Sequence, residues 1–196
     1  MSAADLASFA GLTAMGLLTL NLLLGILVTT NYQPHREWPH RKLPVTLFRV
    51  HNWTAYLAIS FAVLHPLLLL LVQQPRFVAL DLVMPLWSPG QRLYNILGAS
   101  TFYLAAFVVI TSYFRPKLRY HPWKRLHWFA YAAGAVMYVH GTLIDPDLKN
   151  RPTDFLDGEK VFVELCGLLV IAASVWRLRR GKERDRWRKQ HEQAAR

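Results

Sequence analysis

One cysteine in 196 residues excludes a disulfide framework. Cys166 lies inside an apolar run, where it is expected to pack as a small apolar side chain. Acidic residues are few, 12 against 23 Lys and Arg, which leaves a net charge of +11. No polar stretch is long enough for a separate soluble domain. No glycine-rich phosphate loop occurs, and only residues 179–196 follow the last apolar run, leaving no room for a dinucleotide fold. Residues 1–7 carry no Lys or Arg, and the run from Leu6 to Val28 is longer than a signal-peptide core, so it is read as a retained helix.

What the chain has in abundance is apolar surface: 53% hydrophobic and 13% aromatic residues, too much for an ordinary soluble domain of this size. Windows of about 19 residues give five candidate spans, over 8–30, 46–72, 92–114, 125–144 and 159–178. Each approaches or exceeds the roughly 20 residues needed to cross the hydrocarbon core. The second contains Pro66 and is expected to tilt or extend beyond the bilayer. The expected fold is all-α, an integral membrane bundle of five transmembrane helices over 1–178, with a basic tail over 179–196.

Charge gives the orientation. Segments 31–49, 115–125 and the tail from Arg177 hold 18 of the 23 Lys and Arg, and an odd number of spans puts all three on one side. By the positive-inside rule that side is cytoplasmic and the N-terminus is external, as in a bacterial inner membrane. Loop 73–92 is nearly uncharged, and loop 145–160 is acidic, with Asp145, Asp147, Asp154, Asp157 and Glu159, as suits an external face. The positive charge therefore points to anionic lipid head groups rather than nucleic acid. The tail, which includes Trp187, has the charge spacing of an interfacial helix, and a docking site for an acidic soluble partner is the sharper alternative.

Four histidines stand inside these apolar segments in two pairs, His51 with His65 and His127 with His140. An ionisable side chain within a span is costly and marks function by default. The second and fourth spans run in the same direction, so His51 shares a depth with His127, and His65 with His140. At 1.5 Å per residue the two levels lie about 20 Å apart. Two neutral imidazoles fill both axial positions of a haem iron without burying charge, and leave no open site for small ligands. The pattern thus predicts two b-type haems, an inner one on His51 and His127 and an outer one on His65 and His140. Zinc wants its ligands at one point, not at two depths. The competing reading, four core histidines satisfied by backbone or hydroxyl partners, does not account for their repetition on two helices. On an ideal helix His51 and His65 share a face, whereas His127 and His140 miss by about 140°, so either the fourth helix is distorted, for which Gly134 is the candidate, or its two ligands approach their haems from different angles.

Arg49, Lys124 and Arg125 lie at the inner level and are candidates for haem propionate contacts; Arg76 and Arg92 are weaker candidates outside. His35, His40 and His121 fall in cytoplasmic loops and are read as solvated. Trp53, Trp123 and Trp128 fit an interfacial belt, with packing on a haem face as the second option. Glu164 is placed near the outer interface, where a charged side chain can snorkel.

The stretch HPWKRLHWFAYAAGAVMYVHGTL (121–143), with the unequal spacings H-x13-H and H-x12-H, resembles the ferric reductase-like transmembrane domain family of NADPH oxidases and ferric reductases. The resemblance covers residues 45–178 and is to a stand-alone bacterial member without its own flavin and nicotinamide domain. It implies transmembrane electron transfer from a cytoplasmic flavin or flavoprotein to an external acceptor: ferric iron, oxygen or a periplasmic redox partner. A quinone-linked cytochrome b subunit is the alternative. The family commonly has six spans, one more than is expected here. The external loops contain no recognisable catalytic constellation.

Overall fold

The computed structural model describes residues 2–30, 46–149 and 151–194, all helices and connections. His35 and His40 lie outside the described residues. The order is α1 (Ala3–Thr29), α2 (Leu47–Leu69), a short α3 (Ala79–Val83), α4 (Arg92–Tyr113), α5 (Tyr120–His127), α6 (Phe129–Leu143) and α7 (Gly158–Ala194). α1 starts on a capping box, in which Ser2 Oγ accepts the Asp5 N–H and the Asp5 carboxylate accepts the Ser2 N–H. Thr46 caps α2 through the Arg49 N–H. Pro66 follows His65 directly, and α2 continues past it to Leu69.

Among the described residues, four helices are long and apolar enough to cross a membrane: α1, α2, α4 and the Gly158–Glu183 part of α7. The predicted fourth span is the exception. It is divided into α5 and a 15-residue α6, and at 1.5 Å per residue α6 covers only about 22 Å, short of the roughly 30 Å core. The division falls at Trp128, whose N–H bonds back to the Arg125 and Leu126 carbonyls, and whose own carbonyl accepts the Tyr131 N–H. These tightened three-residue turns advance about 120° per residue rather than about 100°, which recovers part of the azimuth that separates His127 from His140. Gly134, the expected bend, sits inside an unbroken α6.

α1 is the central helix. It packs antiparallel along α2 and also touches α6 and α7, while α4 packs along α6. Met15, Met137 and Val163 form the core cluster where α1, α6 and α7 meet. Thr19 Oγ1 and Tyr138 Oη share a hydrogen bond of 2.9 Å beside it. The outside is apolar: Leu165, Leu168, Leu169 and Ile171 on α7 are each more than half exposed, a face suited to lipid. Cys166 is buried. α7 runs from its apolar span into the basic tail as one continuous helix.

One end of the bundle gathers the starts of α1, α4 and α7 with the ends of α2 and α6. Ser8 Oγ donates to the Glu159 carboxylate there, and Gln91 clamps Asp145, donating to its carbonyl at 2.8 Å and accepting its N–H at 2.7 Å. The Asp145 carboxylate in turn accepts N–H bonds from Asp147, Lys149 and Arg151. The opposite end is basic, with Arg177 donating to Tyr131 Oη at 2.7 Å.

Candidate functional site

The helices bring the four histidines into two pairs at opposite levels. At the basic end, the rings of His51 and His127 lie 6.2 Å apart, centroid to centroid, at 70°. At the acidic end, His65 and His140 line one apolar cavity of about 500 Å³, whose walls come from α1, α2, α4, α6 and α7 with the α3 segment.

Each ring is fixed through one nitrogen. His65 Nδ1 lies 2.7 Å from the Ala7 carbonyl, His51 Nδ1 lies 3.1 Å from that of Asn21, and His140 Nδ1 lies 2.7 Å from that of Tyr94. A carbonyl only accepts, so these three nitrogens carry the proton and the lone pair of each ring stands on Nε2. His127 Nδ1 lies 3.1 Å from Ser112 Oγ, a group that both donates and accepts. Backbone and hydroxyl partners do satisfy these rings, as they would ordinary core histidines, but only on one side. None of the four Nε2 atoms bonds to a described residue. They are not sealed in packing either, since Trp123 Nε1 is the one buried side-chain nitrogen or oxygen without a partner among the described residues.

Glycines make the close approach possible. A Cβ at Gly11 would stand 2.9 Å from His65 Nδ1, at Gly25 3.2 Å from His51 Cε1, and at Gly98 2.9 Å from His140 Cε1. The device repeats along α1. Ala7 and Gly11 serve His65, and Asn21 and Gly25 serve His51, each carbonyl four residues before its glycine. Fourteen residues separate Gly11 from Gly25, as they separate His51 from His65. On α4, Tyr94 and Gly98 repeat the unit for His140; fourteen residues on from Gly98, Ser112 offers its hydroxyl to His127.

These supports were invisible to a search for polar motifs, because their acceptors are main-chain carbonyls and their space-makers have no side chain. The matched fourteen-residue glycine spacing was the available signal. Asn21 was another, the lone amide in the first apolar run; its side chain donates to the His51 carbonyl and to Thr54 Oγ1.

The donor set fits haem iron. Two imidazoles on opposite sides of one metal, each with a bond of about 2 Å and a further 1 Å or so to the ring centre, have centroids about 6 Å apart. The outer cavity falls in the size range of a cofactor site. Tying Nδ1–H to a carbonyl is the usual way of orienting a ligating histidine and raising its basicity. Among the described residues no three His, Cys, Asp or Glu side chains converge as a metal site.

The candidate cations are spread more widely. Arg49, Lys124 and Arg125 are exposed, with the Lys124 ammonium over the Tyr120 ring, and Arg76 and Arg92 are exposed as well. Two further cations, which the sequence pattern does not single out, are built into the surroundings of the pairs. Arg115 stands 4.5 Å over the Trp123 ring, which itself stacks on His127. Lys160, only 4% exposed, lines the outer cavity and donates to the Gly141 and Ile144 carbonyls at the end of α6. Trp53 and Trp128 are exposed, as a membrane-interface belt requires, and His121 is exposed on α5. Glu164 is half-buried on α7.

No curated protein and no solved structure matches the chain. The family described as ferric reductase like transmembrane component matches residues 10–138. The match begins in α1, takes in three of the four histidines and ends two residues short of His140. With about two thirds of its length matched and four apolar helices of spanning length, the chain is an integral membrane protein that belongs to the ferric reductase-like transmembrane component family.

Proposed function

We propose that this chain carries electrons across a membrane through two bis-histidine b-type haems. The donor is a cytoplasmic flavin or flavoprotein, and the acceptor is external: ferric iron, oxygen or a periplasmic redox partner. The observation that carries the reading is the common state of the four histidines, each engaged through Nδ1 and each with Nε2 left to a ligand. A haem with two imidazole ligands exchanges single electrons at its iron without an open coordination position.

The residues divide the work by level. His51 and His127 would hold the inner haem at the basic end, which the positive-inside rule assigns to the cytoplasm. His65 and His140 would hold the outer haem in the apolar cavity toward the acidic loops. Gly11, Gly25 and Gly98 let the rings sit against neighbouring helices, and the Ala7, Asn21 and Tyr94 carbonyls fix their tautomer. The outer cavity has an apolar lining, from Ala58, Phe102 and Met137 among others.

Protein purified after haem-replete expression is expected to show a low-spin b-type spectrum with about two haems per chain. His51→Ala and His127→Ala should each cost the inner haem alone, and His65→Ala and His140→Ala the outer haem alone. A colourless wild type refutes the reading. So does a wild type that holds one haem only, with that haem retained in both His51→Ala and His65→Ala.

A further inference from the structure

Three rings and a guanidinium are stacked at the basic end of the inner histidine pair. Trp123 lies one helical turn before His127 on α5 and stacks on it, with centroids 5.0 Å apart and planes 30° apart. Phe48 holds the matching position on α2, one turn before His51. Arg115, on the turn after α4, lies over both rings, 4.5 Å from the Trp123 centroid and 5.6 Å from that of Phe48. It therefore bridges the two helices that carry the inner ligands, about one turn beyond them toward the basic end. Within this stack Trp123 Nε1 is buried and has no hydrogen-bond partner among the described residues. A buried N–H without an acceptor is costly and marks a missing group.

The plane of an axial imidazole contains its metal–nitrogen bond, so it stands upright on the porphyrin. A ring stacked on that imidazole is upright too and presents its edge to the porphyrin. Trp123 would thus meet the porphyrin by an edge and not pack on its face, and its one polar group is the buried, unpartnered Nε1–H. An indole N–H and a guanidinium side by side call for an anionic acceptor, and the anions of haem b are its two propionate carboxylates.

We propose that Trp123 Nε1–H and Arg115 clamp a propionate carboxylate of the inner haem; the assignment rests on the di-haem reading above. The clamp makes both side chains positioning residues. It orients the inner haem about the His51–His127 axis and stabilises its carboxylate in the charged form.

The test uses the full-length holoprotein in detergent, with Trp123→Phe, which keeps a stacked ring and loses the N–H, and Arg115→Gln, which loses the charge. Resonance Raman spectra should show a shifted propionate-bending band in both. Spectroelectrochemical titration should show one of the two midpoint potentials falling and the other unmoved. The inner haem should be retained roughly tenfold less tightly or worse. A second arm needs no variant: wild-type apoprotein reconstituted with iron protoporphyrin dimethyl ester, whose propionates are capped, should lose affinity at the inner site alone.

Unmoved bands and potentials in a two-haem protein overturn the clamp and leave the di-haem reading standing. A colourless wild type overturns the di-haem reading itself. If vesicles of anionic phosphatidylglycerol change the Trp123 fluorescence while the propionate band stays constant in both variants, the acceptor is a lipid phosphate and the clamp is overturned.

Discussion

Replacing Gly98 with Ala separates the stability of the fold from the grip on the outer haem. The new methyl group would lie 2.9 Å from His140 Cε1, with Nδ1 and Nε2 both at 3.2 Å. Ordinary contacts begin near 3.4 Å, so the ring or helix must move by several tenths of an ångström. The ring is tethered at 2.7 Å to the Tyr94 carbonyl, on the same helix as the new methyl, and cannot swing away without giving up that bond. Overpacking of this kind costs about 1–3 kcal/mol. The same substitution favours the helix by about 1 kcal/mol, since glycine is the poorer helix former.

The helix gain offsets part of the overpacking, so the global fold should lose no more than about 2 kcal/mol, while retention of the outer haem weakens by roughly fivefold to a hundredfold. The assay is haem stoichiometry and haem transfer to an apo-acceptor, read beside thermal unfolding. Gly11→Ala should behave alike at His65, and Gly25→Ala more mildly at the inner pair, where the nearest approach is 3.2 Å. Gly181→Ala is the control, since a Cβ there meets nothing within 4 Å. Gly98→Ala protein that keeps both haems with wild-type transfer rates would show that the outer ring is not held as described.

Ser112→Ala removes the only partner that His127 Nδ1 has among the described residues. That imidazole becomes the weaker electron donor, so the inner midpoint potential should rise while the outer one stays fixed, as redox titration will show. Lys160→Met leaves the carbonyls at the end of α6 without their donor and should lower the unfolding temperature, with a cost of about 1–3 kcal/mol. Burial works against the Asp145 carboxylate, but N–H bonds from Arg151, Asp147 and Lys149 outweigh it and hold its pKa below the usual 3.8. Because the folded value is the lower one, its contribution is complete above the unfolded pKa and disappears as pH falls through the folded value. Wild-type protein should thus lose an increment of thermal stability below about pH 4 that Asp145→Asn lacks, and equal acid profiles would refute it.

The helices were legible because each long apolar run must satisfy its backbone internally, and a helix is the way to do so. His51, His65, His127 and His140 were legible because ionisable residues stand out against leucine. The division at Trp128 was not, since no proline or glycine stands there and the turn tightens through backbone hydrogen bonds alone. Only the 140° azimuth error pointed to it, and it pointed to the wrong residue, Gly134. Lys160 was passed over because a lysine beside Asp157 and Glu159 reads as part of a solvated loop until α6 is seen to end against it.

Three of the four histidines lean on carbonyl groups that every amino acid possesses. A point mutation can crowd such a support, yet it cannot delete it, so at those positions the chemistry of the ligand is shielded from drift. The fourth support is a hydroxyl, and a single substitution at position 112 replaces it with a methyl, an amide or an acid. A single substitution therefore has one direct handle on these ring hydrogen bonds, and it lies at the basic end, at Ser112.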